Sequence, residues 1–135
     1  MTFFEDKKTP EPERMSPEDF EKVVMDALRT LPKIFKEKLE NVDVVIQEMP
    51  TAREAGSVGC ARFTLLGLYE GVPLSQRTHQ YGMVMPDKIT LFRRNIERSA
   101  RTKREMKKAI RHTVQHELAH HLGIDDDRLE DLGIY

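Results

Sequence analysis

HELAHHLGIDD, residues 116–126, decides how this chain is read, because it sets His116 and His120 four positions apart with Glu117 beside the first of them. On a helix, four positions are about 6 Å along the axis and about 40° around it, so both imidazoles can reach one ion. Glu117 then stands next to that ion, placed to take a proton from a water bound there. Two nitrogens alone hold zinc weakly. A carboxylate arriving after a sharp turn makes three protein ligands and leaves the fourth position open, the arrangement of a catalytic rather than a structural site. Gly123 can supply the turn, since glycine adopts the left-handed conformation that ends helices and turns the chain back toward the histidines. Asp126 is the expected third ligand, with Asp125 and Asp127 as the alternatives. Asp127 and Glu130 have the spacing of a capping box ahead of Leu129 and Leu132, a role for Asp127 that leaves Asp126 to the metal.

The remaining histidines fit this site less well. His112 shares the stripe of His116 but lies about 12 Å along the axis from His120, too far for the same ion. It is expected to pack against or support the site. His121 points about 140° away from His116 and is expected to pack or lie at the surface. His79 falls in a loop whose destination the sequence does not reveal.

Upstream, residues 93–111 hold nine Lys or Arg against only Glu97 and Glu105, which raises a nucleic-acid surface as a possibility. A helical projection puts Arg104, Lys108 and Arg111 largely opposite His120, while Met106, Ile110, Thr113 and Val114 form the inward stripe. The basic residues therefore read as a solvated helix back, and the lack of interleaved aromatics argues against nucleic acid as partner.

Before this helix, KITLFRR at 88–94 has strand character and HQYGMVMPD at 79–87 is ambiguous between strand and loop. RFTLLGLYEG at 62–71 reads as a strand broken by Gly71 and Pro73, and residues 51–61, with Gly56 and Gly59, as a loop. VDVVIQ at 42–47 is β-branched and extended. Ser16-Pro17-Glu18-Asp19 is a helix start, and Phe20, Val23, Val24, Ala27, Leu28 and Leu31 follow at helical spacing, which predicts a helix over 17–31. Pro32 can open a second short helix carrying Ile34, Phe35 and Leu39. Residues 1–15 have too little apolar periodicity to fold and are expected to form a flexible tail before one domain at 16–135.

This order of helices, strands and a last long helix predicts a single compact α+β domain rather than a regularly alternating parallel sheet. A chain of 135 residues suits one core. No apolar run is long enough to span a bilayer and the N-terminus lacks the apolar core of a secretory signal, so a cytoplasmic protein with no membrane partner is expected. Cys60 is the only cysteine, which excludes an intrachain disulfide and a cysteine-based zinc centre.

HELAHHLGIDDDRLEDLGIY resembles the active helix of zincin metallopeptidases with the metzincin-like H-E-x-x-H-x-x-G-x-x-D pattern. LLGLYEGVPL at 65–74, ITLFRRNIE at 89–97 and the terminal EDLGIY are similar to a compact bacterial zincin-like family, so the resemblance covers roughly residues 16–135. It implies a minimal zincin fold, with a small mixed sheet packed on N-terminal helices and a C-terminal H-E-x-x-H helix. It also implies one zinc ion held by His116, His120 and Asp126, and Glu117 as general base. One departure is plain: larger metzincins carry a methionine turn after the third ligand, whereas every methionine here precedes the motif. Met83 and Met85 are candidates to fill that floor, though core packing suits them better.

The expected activity is peptide-bond hydrolysis through a zinc-bound water, on a peptide or protein substrate lying extended along a strand edge. Tyr81 and Tyr135 are weighed as oxyanion donors, but packing suits both better and neither is assigned a catalytic role. The alternative is a noncatalytic zincin scaffold serving as an interaction module, binding protein, or nucleic acid through residues 93–111. His₂Asp ligation also accepts metals other than zinc, and substrate identity and oligomeric state are not legible.

Overall fold

In the computed structural model, residues 15–71, 86–123, 127 and 130 are described. The first helix, α1 (Pro17–Arg29), starts where the capping signal lies: the Ser16 hydroxyl accepts from the Asp19 N–H at 3.1 Å and Pro17 fills the first turn. Its buried stripe is Phe20, Val23, Val24 and Ala27, with Leu31 buried just beyond the end. Pro32 caps α2 (Lys33–Leu39), whose Phe35 is fully buried. The chain then enters β1 (Val42–Gln47).

Three features differ from the sequence reading. Residues expected to form a loop contain a short helix, α3 (Ala52–Ser57), fixed by a complete capping box in which Thr51 and Glu54 each accept the other's backbone N–H. The strand expected over 62–71 shortens to β2 (Gly67–Glu70), because Asn95 donates to the carbonyls of Arg62 and Leu65 at 2.9 and 2.7 Å and holds that backbone out of the ladder. Next, β3 (Asp87–Phe92) ends where Arg93 and Arg94 open a further helix, α4 (Arg93–Ser99), instead of extending the strand. The last element, α5 (Lys103–His121), is capped by Thr102, which accepts from the Glu105 N–H at 3.1 Å.

Among the described residues three strands form one mixed sheet in the order β1-β3-β2. β1 runs parallel to β3 with Val44 opposite Ile89, and β2 runs antiparallel to β3 with Tyr69 opposite Ile89. The central strand is buried on both faces: Ile89 and Leu91 join the helical core of Phe20, Val24, Phe35, Ile110 and Leu118, while Phe92 meets Ala55, Leu65 and Leu68 on the other side. A strand covered on both faces reads as a nearly continuous apolar run, as ITLF does with Thr90 its one polar, buried member. Met106, Ile110, Thr113 and Val114 of α5 are buried, as the helical projection expects, and Arg104 and Lys108 are exposed.

One ion-pair cluster ties β1 to the start of α4. The Arg93 guanidinium grips Glu48 through Nε at 2.8 Å and Nη2 at 3.0 Å, and its Nη1 donates to the Met15 carbonyl at 3.1 Å. The hydrogen bond from Arg93 is the foremost of the contacts that hold the Glu48 carboxyl below the usual glutamate range. Among the described residues no helix is long and apolar enough to cross a membrane. The tail expected over 1–15 falls, apart from Met15, outside the described residues, as do His79, Tyr81, Met83, Met85, Asp126 and Tyr135.

Candidate functional site

The site grows from the last turns of α5. His116 is half-buried and His120 exposed, and their ring centroids stand 4.0 Å apart with planes tilted by 57°. The two rings are neighbours on one stripe of the helix and tilted rather than stacked, and two imidazole nitrogens so placed are a donor chemistry that zinc accepts. The two described members of the expected donor set therefore fit such an ion in chemistry. Its third expected member, Asp126, lies outside the described residues, and among the described residues no group of three or more His, Cys, Asp and Glu surrounds one point. Gly123 ends the helix with φ of +77°, the left-handed conformation anticipated for a turn back toward the histidines. His112 continues the row, its ring parallel to that of His116 at 5.8 Å.

A second face of α5, one residue round from the histidine pair, is laid against β2. Three successive positions four apart, Thr113, Glu117 and His121, meet three strand positions two apart, Gly67, Tyr69 and Gly71. A Cβ on Gly67 would sit 2.6 Å from the Thr113 methyl and 3.2 Å from the Thr90 carbonyl oxygen. The Tyr69 N–H donates to Glu117 Oε1 at 2.9 Å. The His121 ring stacks on the Tyr69 ring at 3.8 Å, and a Cβ on Gly71 would lie 3.1 Å from His121 Nε2. The match has a geometric cause: four helical residues advance about 6 Å and two strand residues about 6.7 Å, so the two elements stay in step over this length. Absence of a side chain at Gly67 permits the close approach.

Tyr69 is the hub of this contact. Its amide holds Glu117, its ring holds His121, and its phenol donates to Asp87 Oδ2 at 2.6 Å, binding β2 to the start of β3. The sequence reading did not single out Tyr69, Asp87, Gly67 or Gly71 for a role at the site, and it gave His121 only a packing or surface role. The available signal was the four-residue spacing of Thr113, Glu117 and His121, a second stripe interleaved with His112, His116 and His120. Which strand that stripe would meet depends on a contact between segments far apart in the chain.

The direction of the Tyr69 amide follows from the ladder. The Phe92 N–H donates to the Leu66 carbonyl at 2.9 Å, so the Leu66–Phe92 pair is hydrogen-bonded, and alternation makes Tyr69–Ile89 a pair without ladder bonds. The N–H and C=O of Tyr69 therefore point away from β3, toward the outer side of β2.

Much of the basic stretch 93–111 is engaged within the molecule. Arg93 and Arg94 meet Glu48, Arg98 lies over the Phe63 ring at 5.3 Å, Lys107 pairs with Asp26 at 3.5 Å, and Arg111 donates to Thr30 at 3.3 Å. Comparison with curated proteins found no match. A family model described as zincin-like metallopeptidase matches residues 39–134, a span that holds the three described strands and the whole of α5. With more than half of its length matched, the chain belongs to the zincin-like metallopeptidase family.

Proposed function

We propose that this protein is a zinc-dependent peptidase that hydrolyses peptide bonds in extended chains, with His116, His120 and Asp126 as metal ligands and Glu117 as general base. The observation that supports the reading is the pairing of the His116 and His120 rings at 4.0 Å beside a Glu117 carboxylate turned toward β2, at the edge of the described sheet. A zinc ion held there would acidify a water and polarise the scissile carbonyl.

The chain's own residues account for the remaining steps. Glu117 accepts the proton of the attacking water and passes it to the departing amine, which needs one carboxylate within reach of both. At the edge of the described sheet, β2 orients the substrate, because a peptide pairing with its outer side runs alongside α5 and past Glu117. Thr113 and His121 hold β2 and α5 in step, so the base keeps its place relative to that peptide. Nucleic acid is not the proposed partner, since Arg93, Arg94, Arg98 and Lys107 already have partners within the fold. We place the activity in the cytoplasm, where the lone exposed thiol of Cys60 stays reduced.

The test is peptide cleavage by zinc-loaded protein, compared with Glu117→Ala at equal metal content. The variant should retain the ion and lose cleavage by about a hundredfold or more. Equal cleavage by the two proteins would remove Glu117 from the chemistry, and absence of cleavage by both would leave a zincin scaffold used for binding.

A further inference from the structure

The general base of the proposed reaction is engaged by the strand on which a substrate would pair. Glu117 Oε1 accepts the Tyr69 N–H at 2.9 Å, and that N–H points away from β3, toward the outer side of β2. An extended peptide adding to this side would place a carbonyl oxygen against outward N–H groups of β2, as strand addition requires. Glu117 and the peptide therefore compete for one donor.

We propose that the Tyr69 amide is an exchange point: Glu117 occupies it at rest, and a docking peptide takes it over and frees the carboxylate to act as base. This rests on the peptidase reading above and adds to it a coupling between substrate pairing and release of the base. The contact is a charge-assisted hydrogen bond from a fixed backbone donor. Its donor is held from three sides: the Tyr69 phenol donates to Asp87 at 2.6 Å, the ring stacks on His121 at 3.8 Å, and the next outward position, Gly67, closes on Thr113. The strand therefore does not follow the carboxylate when it leaves, and the amide stays in place for the incoming carbonyl. Unliganded enzyme keeps its base tethered, and the base is released where a substrate strand lies.

Hydrogen exchange at single amides, measured on the full zinc-loaded chain, tests this. Tyr69 should exchange about tenfold faster in Glu117→Ala than in the wild type, the fold-change that loss of a hydrogen bond to a carboxylate allows. Glu117→Gln keeps an acceptor oxygen and should exchange like the wild type, and Leu68 and Glu70, bonded into β3, should not change in either variant. A library of ten-residue peptides of random sequence with blocked termini should then restore protection at Tyr69 in Glu117→Ala. It should also bind that variant about tenfold more tightly than Glu117→Gln, because the competitor is gone. Equal Tyr69 exchange in the wild type and Glu117→Ala overturns the proposal, as does bound peptide that leaves Tyr69 unprotected. If the wild type still cleaves the library in either case, the peptidase reading survives alone. If the exchange pattern and peptide capture appear without cleavage by the wild type, hydrolysis falls and the exchange point stands. No binding of the library to any of the proteins overturns both.

Discussion

Gly67 is the residue on which the seating of β2 against α5 depends most. Its place could not be filled by alanine without moving something, because a Cβ there would meet the Thr113 methyl at 2.6 Å and a backbone oxygen at 3.2 Å. Gly67→Ala should destabilise the fold by about 1–3 kcal/mol, the usual cost of overpacking. Thr113→Ser removes the opposing methyl and should recover part of that loss in a double-mutant cycle by thermal or denaturant unfolding. Strictly additive losses would show that the two residues do not touch. The motif residues His116, Glu117 and His120 were legible because their chemistry and spacing are local. Gly67 and Tyr69 were not, because a glycine or tyrosine in a strand carries no mark of the helix that it will meet.

At the scale of elements, the helix starts were the most readable features. Ser16 with Pro17 and the apolar stripe from Phe20 fixed α1 because capping and periodicity act within a few residues. The Thr51–Glu54 capping box was equally local but was outweighed by the glycines that follow it. The end of β3 was misread for a different reason: Arg93 and Arg94 look like the polar end of a strand, but both turn to Glu48, 45 and 46 residues away in the chain, and open α4. Thr102→Ala should remove the cap of α5 and lower stability by about 1 kcal/mol. Because that cap lies at the opposite end of α5 from His116 and His120, zinc affinity of the folded protein should not change when stability and metal titrations are compared. A large loss of affinity would mean that the whole helix, and not its last turns, sets the ligand geometry.

For the molecule as a whole, stability should depend on acid and on metal. The Glu48 carboxyl is held below the usual glutamate range, first by the Arg93 hydrogen bond and against an opposing effect of burial. A carboxyl with a lowered folded-state value contributes stability that is fully present above its unfolded value and disappears as pH falls through the folded one. Wild type should thus lose more stability than Glu48→Gln on acidification below the ordinary glutamate range, and chemical denaturation at stepped pH measures the difference. The effect is modest, because the Glu48 side chain is 54% exposed and solvent screens it. Zinc should raise the unfolding free energy through linkage, by about 2.7 kcal/mol at a free concentration a hundred times the dissociation constant, and a chelator should reverse it. At this scale the α+β class was readable from the order of elements, whereas the strand order β1-β3-β2 was not, since it depends on which distant segments pair. The family match over residues 39–134 and the histidine pair together make the metal centre the central claim. X-ray absorption at the zinc edge of the loaded full chain tests it most directly. Two imidazole nitrogens at about 2.0 Å with oxygen completing the shell, falling to one imidazole in His120→Ala, is the expected spectrum. A shell without histidine, or one unchanged by that substitution, would contradict it.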